Sequence, residues 1–298
     1  MRVRITSEHL DEVSQFLRLG LGLMLIVSGW NIFSGVLDNV VTIDEFWAGL
    51  SVPIGLQEFL SPILFGDTTS VIFTPLNVLT VWGGLTMGAG AFMLLGLFVR
   101  LFSVLFMFAY IFPWLIGLVE ASFALSDGGT AELLQASFMN ARDFSVALLL
   151  LVLFNIGPGS NSLDFKFGLP GTVPPGVSWD AVAFQTRMSL TVLFLTAGLS
   201  GVLFENAFYG PPWQFLLFLS VFIAFGLFSR ITGAIALFAI AWHLYIVLKG
   251  VLGFDMALDV VAPEAPFIAA TVIFMLAGGG DIMKPKIKLT KTLWGRTD

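Results

Sequence analysis

The chain has 298 residues, of which 57% are hydrophobic and 11% are charged, and its formal net charge is −6. Soluble domains carry about 25% charged residues, so this composition excludes a water-soluble globule, and the negative charge argues against nucleic acid as a partner. Cysteine is absent and only two histidines occur, which excludes disulfides, iron–sulfur ligation and an internal bis-histidine haem. We therefore predict an all-α, polytopic membrane protein without a metal site.

Eight uncharged stretches are long enough, or nearly so, to cross a bilayer as helices, since a span needs about 20 residues. They are 19–37, 68–99, 101–119, 144–163, 188–204, 206–229, 231–248 and 265–280. Only Arg100 separates the second from the third, and only Arg230 the sixth from the seventh, so each pair is predicted to form a hairpin with a tight turn. Acidic residues before the first stretch predict that it is retained rather than cleaved as a signal peptide.

The basic residues predict the orientation, because lysine and arginine accumulate in cytoplasmic loops. If the N-terminus is cytoplasmic, two of the 14 basic residues, Arg142 and Lys249, lie outside. We therefore expect both termini in the cytoplasm. The basic tail fits this orientation and would also attract anionic lipid or a cytoplasmic partner; its lysines are Lys284, Lys286, Lys288 and Lys291.

The chain repeats itself weakly. Gly-Leu-Phe-Val-Arg at 96–100 recurs as Gly-Leu-Phe-Ser-Arg at 226–230. The repeat predicts two parallel, like-oriented four-helix bundles: a first unit at 1–168, a cytoplasmic linker at 169–183 that is rich in turn formers, and a second, degenerate unit at 184–298.

The long outer loop of the first unit, at 38–67, has two interpretations. Its apolar residues are broken by Pro53 and Pro62, which is typical of short amphipathic helices at the membrane interface. A loop of this length is also often a lid or a docking surface for a partner.

The segment 155–164 reads Asn-Ile-Gly-Pro-Gly-Ser-Asn-Ser-Leu-Asp. Together with Arg18, a glycine-rich first helix and the Gly-Leu-Phe-x-Arg turn, it resembles the DoxX/DoxD family; the second unit has only Gly-Gly-Gly-Asp at 278–281 in its place. Family members include the large subunit of a thiosulfate:quinone oxidoreductase. The resemblance therefore implies a prokaryotic cytoplasmic (inner) membrane protein, a non-covalently bound quinone and other protein subunits as partners.

His243, on the seventh stretch, is the candidate quinone ligand. Its imidazole could bond a quinone carbonyl or relay its proton, with Trp242 and Tyr245 stacking on the ring. The alternative is a neutral histidine bonded to a neighbouring helix beside an aromatic belt.

Arg142 is the candidate cation for a small external oxyanion, with Lys249 second, because a guanidinium offers several donors in one plane. The alternative is an ion pair with Asp143, Glu120 or Glu132 that anchors the helix end.

The other polar residues at membrane depth have structural interpretations. Arginines that flank the spans are expected to be inner-boundary anchors: Arg18, Arg100, Arg187 and Arg230. The amides are expected to form interhelical hydrogen bonds: Asn31, Asn77, Asn155 and Gln185. Gly84 and Gly88 form a small-xxx-small face for helix packing.

Three functions remain open. The first is the membrane subunit of a quinone-linked oxidoreductase system, with His243 and Arg142 as its catalytic residues. The second is a non-catalytic accessory or assembly subunit of a larger membrane complex. A small-solute transporter is a weaker third, because the sequence places few ionisable groups at the membrane midplane.

Overall fold

The structure is a computed structural model that describes residues 7–37, 58, 61–62, 75–126, 141–169, 178–204, 211–251 and 253–278. Within these ranges every regular element is a helix and there is no strand. The outer loop at 38–67 lies almost entirely outside the described residues. The centre of the linker, at 170–177, and everything after residue 278, including the basic tail, also lie outside them.

A helix covers part of each of the eight predicted stretches. The helices are α1 (Ser7–Leu37), α2 (Pro75–Leu95), α3 (Val99–Ser126), α4 (Ala141–Ile156), a short α5 (Leu163–Lys166), α6 (Trp179–Phe204), α7 (Trp213–Ala224), α8 (Ser229–Leu248), α9 (Phe254–Val261), a 3₁₀ turn (Ala262–Glu264) and α10 (Ala265–Ala277).

Five helical segments of the described chain have the length and apolar composition of a membrane span, and two shorter apolar helices accompany them. The five are Leu10–Gly35, Leu76–Leu95, Trp179–Ser200, Ser229–Leu248 and Met256–Leu276; the shorter two are Val99–Phe112 and Trp213–Ala224. The protein is thus all-helical in the part described and suited to a lipid bilayer.

The two predicted tight turns are present and have the same backbone conformation. Gly96 and Phe98 have positive φ angles of 73° and 49°, and Gly226 and Phe228 have 60° and 46°. In each turn the leucine between them donates its N–H to a carbonyl five residues back, at 2.8 Å for Leu97 and 3.0 Å for the second turn. A left-handed glycine that closes a helix in this way satisfies otherwise unpaired carbonyls.

The described helices of the two predicted units share one core. Within the first half α1 packs along α2 and α3 along α4, and within the second α6 packs along α7 and α8 along α10. Two further pairs cross between the halves, α4 with α6 and α1 with α10. The buried apolar side chains of these helices form a single cluster, because α1 and α6 each bury one face within their own half and another against the other half.

Glycines bring α1 and α2 into backbone contact. A Cβ atom added at Gly29 would lie 2.4 Å from the backbone nitrogen of Met87, and one added at Gly90 would lie 2.6 Å from the carbonyl oxygen of Gly22. The prediction that Gly84 and Gly88 form the packing face is wrong. A Cβ atom added at either glycine would meet no atom within 4 Å. The contact instead uses the neighbouring positions that face α1.

Arg18 and Arg187 are enclosed by protein. Since α1 begins at Ser7 and α6 at Trp179, both arginines lie two or more turns inside their helices, and their exposed fractions are only 3% and 0%.

Candidate functional site

An ion pair between the two halves is the centre of the candidate site. Nη2 of Arg142, at the start of α4, lies 2.6 Å from Oε1 of Glu264, at the end of the 3₁₀ turn. The Glu264 side chain is 2% exposed and that of Arg142 is 24% exposed. The guanidinium also lies over the ring of Phe267, 5.7 Å from its centroid. A charged pair this deep in an apolar bundle is a functional candidate by default.

Packing against α1 holds the Glu264 side of the pair inside the bundle. Ala265 follows Glu264 and packs on Gly20, where an added Cβ would lie 2.8 Å from the Ala265 carbonyl oxygen.

Packing against α6 holds the Arg142 side of the pair. Ser145, one turn after Arg142, accepts a hydrogen bond of 2.8 Å at its carbonyl oxygen from the hydroxyl of Ser189. The start of α4 is therefore joined to α6 of the second half.

Three more ionisable side chains interact electrostatically with the pair or with each other. His243 of α8 interacts electrostatically with both Glu264 and Arg142. Asp143 interacts with Arg142, and Tyr110 of α3 interacts with both Asp143 and Arg142. We call Tyr110, Arg142, Asp143, His243 and Glu264 the central cluster. It joins α3 and α4 of the first half to α8 and the 3₁₀ turn of the second.

The two carboxylates of the central cluster occupy equivalent places on their helices. Asp143 lies 14 residues before Gly157, and Glu264 lies 14 residues before Gly278. The two glycines end α4 and α10 with similar positive φ angles of 83° and 79°. Equal spacing from equivalent helix ends brings both carboxylates to the same level.

The segment Met256–Leu276 is interrupted where Glu264 lies. The helix narrows to the 3₁₀ turn Ala262–Glu264 between α9 and α10, and Pro263 and Pro266 flank the glutamate. Proline has no N–H to donate and its ring crowds the preceding turn, and a 3₁₀ stretch within a helix often marks a functional site. The local sequence thus explains why the helix changes its winding at this residue.

The structure brings together His243 and Arg142, the two predicted catalytic residues, but not the other predicted ligands. Trp242 and Tyr245 are 43% and 68% exposed, so both lie on the surface of the bundle, and Trp242 packs edge-on against Phe238 at 5.6 Å. Lys249 is exposed just after the end of α8.

Arg142 does form an ion pair, but with a partner that sequence reasoning missed. Of the three carboxylates that we considered, Asp143 lies beside it, while the side chains of Glu120 and Glu132 are outside those described. Glu264 was not among the predicted site residues. Its spacing from Gly278, which matches that of Asp143 from Gly157, is the signal that could have found it.

The segment 155–164 forms a second polar region at the end of the bundle. The carboxylate of Asp164 accepts hydrogen bonds from the N–H groups of Phe98 at 3.0 Å and Val99 at 3.4 Å, and so caps α3. The N–H and hydroxyl of Ser160 both donate to Asp11 of α1. These contacts hold the ends of α1, α3 and α4 together, so the segment has a structural role.

The interhelical bond expected of the membrane amides is confirmed for one pair. Nδ2 of Asn155 donates to Oε1 of Gln185 at 3.1 Å. The bond links α4 to α6 and therefore crosses between the two halves.

Comparison of the chain with protein-family models, with characterised proteins and with solved structures finds no match.

Proposed function

We propose that the protein is the membrane subunit of a quinone-linked oxidoreductase system and that the central cluster receives the quinone headgroup. The observation that carries the proposal is the Arg142–Glu264 ion pair, whose glutamate is buried among apolar helices and which interacts electrostatically with His243. A lipid-soluble carrier can reach a polar site enclosed by apolar helices from the bilayer.

The side chains of the central cluster fit a quinone. The guanidinium of Arg142, the imidazole of His243 and the hydroxyl of Tyr110 are hydrogen-bond donors that a quinone carbonyl accepts. Trp242 and Tyr245, on the surface of α8 next to His243, offer aromatic faces to a ring arriving from the lipid. A bound quinone would supply two-electron chemistry, taking up two electrons and two protons to form the quinol.

In this proposal the side chains of the protein donate protons to the quinone and orient it. The imidazole of His243 donates a proton at one ring nitrogen and regains it from the cluster. Arg142, held by Glu264, binds the quinone carbonyl, so it is not assigned to bind an external anion. The electrons come from a reduced donor of the thiosulfate class, which the outer loop or another subunit binds and which passes its electrons directly to the quinone, since the resemblance to DoxX/DoxD proteins implies such a donor.

We further propose that the eight helical stretches are eight spans in two like-oriented four-helix repeats, with both termini in the cytoplasm of a prokaryote. The matching helix pairs, the matching Gly96 and Gly226 turns and the equivalent carboxylates support the repeat. The excess of basic residues on one side supports the orientation.

The quinone content of the purified protein tests the function. We expect the native protein, extracted in native lipid, to retain quinone, and His243→Gln to lower the retained quinone about tenfold, equivalent to about 1.4 kcal/mol of binding free energy. Lys166→Gln is the matched control, because Lys166 is exposed on α5. A native protein that retains no quinone and takes up none from quinone-loaded vesicles would contradict the proposal.

Proton-coupled transport is a second candidate, and the interrupted segment Met256–Leu276 favours it. Transporters with parallel repeats place their sites at the interface of the repeats and use discontinuous helices to build them. The same purified protein in sealed vesicles separates the two, since a transporter moves solute or protons without bound quinone. A stoichiometric partner with neither activity would favour the accessory-subunit alternative.

A further inference from the structure

We infer that one end of the helix bundle carries a surface that binds the headgroup layer of an anionic lipid leaflet. The surface consists of six exposed side chains, which we call the anchor residues: Phe98, Phe165, Lys166, Phe167, Phe228 and Arg230. The inference does not depend on quinone binding, and it gives a role to the short helix α5.

Four phenylalanine rings of the anchor residues are largely exposed. The exposed fractions are 50% for Phe98, 49% for Phe165, 68% for Phe167 and 71% for Phe228. A ring left in water forgoes the favourable free energy of its burial. Exposed apolar side chains beside polar groups therefore mark a surface that contacts a membrane or another protein.

Helix α5 lies against the turn that carries Phe98. The N–H of Asp164, in α5, donates to the carbonyl oxygen of Gly96 at 3.1 Å, and the carboxylate of Asp164 accepts the N–H of Phe98 at 3.0 Å. The two rings of α5 and the ring of Phe98 are therefore at the same end of the bundle.

The turn that carries Phe228 is at that end as well, because α6 and α7 form an antiparallel hairpin. The end of α4 lies beside the first third of α6, where Asn155 bonds to Gln185. Gly198, near the end of α6, packs on Leu217, near the beginning of α7, so α7 returns to the side where α6 begins. The turn after α7 therefore lies at the same end as α5, which follows α4.

Two of the rings are attached to a strained backbone. Phe98 and Phe228 have positive φ angles of 49° and 46°, a conformation that is unusual for a bulky residue and that costs free energy. Glycine would relieve this strain, yet an exposed phenylalanine occupies the equivalent position of both turns. A ring retained twice at such a cost indicates a contact outside the bundle.

Every exposed ring of the surface has a basic residue within two positions. Lys166 lies between the two rings of α5, and in each turn an arginine follows the phenylalanine by two residues; Lys166 and Arg230 are exposed. The acidic neighbour Asp164 is only 6% exposed, since its carboxylate caps α3. Basic residues beside apolar rings are typical of segments in the headgroup region, and they attract anionic lipid.

The position of the surface indicates that its occupant is lipid. Phe228 directly precedes the apolar segment Ser229–Leu248, and Phe98 follows the apolar segment Leu76–Leu95 by three residues. The anchor residues are thus continuous with the lipid-facing sides of the bundle and lie where these segments end. Their basic side chains fit the phosphates of an anionic leaflet better than the apolar face of another protein.

Spin labels test the depth of this surface, and the absence of cysteine from the chain allows one label at a time. In vesicles that contain phosphatidylglycerol we expect labels on Phe167→Cys and Phe228→Cys to lie about 5–10 Å below the lipid phosphates, as measured by relaxation with oxygen and with a water-soluble nickel chelate. Leu85→Cys, at an exposed position in the middle of the segment Leu76–Leu95, is the control and should lie deeper than both.

Labels as open to the chelate as the free spin label in buffer would overturn the inference. Labels closed to both reagents would overturn it too, since they would show a cover of protein. Phe167→Cys is outside the strained turns, so it remains informative if Phe228→Cys folds poorly.

A bimane fluorophore on the same cysteines tests the choice of lipid. Spin-labelled phosphatidylglycerol should quench it at a lower mole fraction than spin-labelled phosphatidylcholine does. With the fluorophore at position 228, Arg230→Gln should lower this preference about fivefold, the effect of one basic residue near an anionic surface, while the fluorophore at position 167 keeps its preference. An unchanged preference at position 228 would overturn the assignment to anionic lipid. A protein that meets both expectations but binds no quinone would support this surface while refuting the proposed function.

Discussion

Two carboxylates of this protein, Glu264 and Asp164, have different structural roles. Glu264 neutralises a buried guanidinium at 2.6 Å, while Asp164 accepts two backbone N–H groups at the first turn of α3. Both roles depend on long-range contacts. The partner of Glu264, Arg142, belongs to the first half of the chain, and the partners of Asp164 are more than 60 residues away from it in sequence. The residue type shows only that each side chain is charged. The tertiary packing determines whether the charge forms an ion pair or caps a helix.

The cap at Asp164 yields a stability prediction. Asp164→Ala removes the acceptor for Phe98 and Val99 and a negative charge near Arg18. We expect the free energy of unfolding to fall by about 1–2 kcal/mol, the usual value of a helix cap, as measured by thermal melting in detergent. Asp259→Ala, an exposed position on α9, is the control and should change the melting temperature little; equal melting of both variants would show that the cap contributes nothing.

At the scale of elements, glycine spacing fixes how closely α1 and α2 approach. Their contact uses Gly22 and Gly29 on α1 and Gly83 and Gly90 on α2, each facing backbone atoms of the other helix. Helices associate in lipid largely through such close packing, because there is no hydrophobic driving force between apolar faces in that medium. The apolar faces of both helices would be equally stable against lipid, so the glycines determine that α1 packs on α2.

This contact predicts a matched pair of variants. Gly29→Ala would place a methyl group 2.4 Å from a backbone nitrogen of α2, and such overpacking costs about 1–3 kcal/mol. Gly84→Ala adds the same group to open space and should keep or slightly raise stability, since alanine favours helix more than glycine does. Thermal melting of both proteins checks the prediction, and a Gly29→Ala variant as stable as Gly84→Ala would contradict it.

At the scale of the whole molecule, the helix pairs that contact each other across the two halves determine how the halves pack together. The contacts of α1 with α10 and of α4 with α6 tie the first half to the second, as do the Arg142–Glu264 ion pair and the Asn155–Gln185 hydrogen bond. Each half alone would expose faces that are now buried in the common core. The halves are therefore interdependent parts of one bundle.

Expression of the chain as two fragments tests this interdependence. We expect fragments 1–169 and 178–298 to be degraded when made separately and to copurify as a one-to-one complex when made together, because the crossing faces are then covered. Insertion of a flexible segment into the linker of the intact chain is the control and should leave the melting temperature unchanged. Two fragments that are each monodisperse and do not associate would refute the single core.

Local sequence was sufficient for much of the fold. The eight helical stretches followed from the length of uncharged segments, and the two tight turns from Gly-Leu-Phe-x-Arg, because apolar span length and left-handed glycine are local properties. Two predicted catalytic residues, His243 and Arg142, lie in the central cluster. Trp242, Tyr245 and Lys249 do not, since their spacing of three and four residues places them on one exposed face of α8, from which His243 points away.

The sequence by itself determined that the chain is apolar, helical and poor in ionisable groups, because composition and uncharged length depend on no contact between distant residues. Only the tertiary structure decided that the few remaining charges meet in the interior. Glu264 was not among the predicted site residues, and the partners considered for Arg142 were Asp143, Glu120 and Glu132. Their meeting is set by the crossing of α4 and α10 against α6 and α1, a consequence of packing that no local pattern contains.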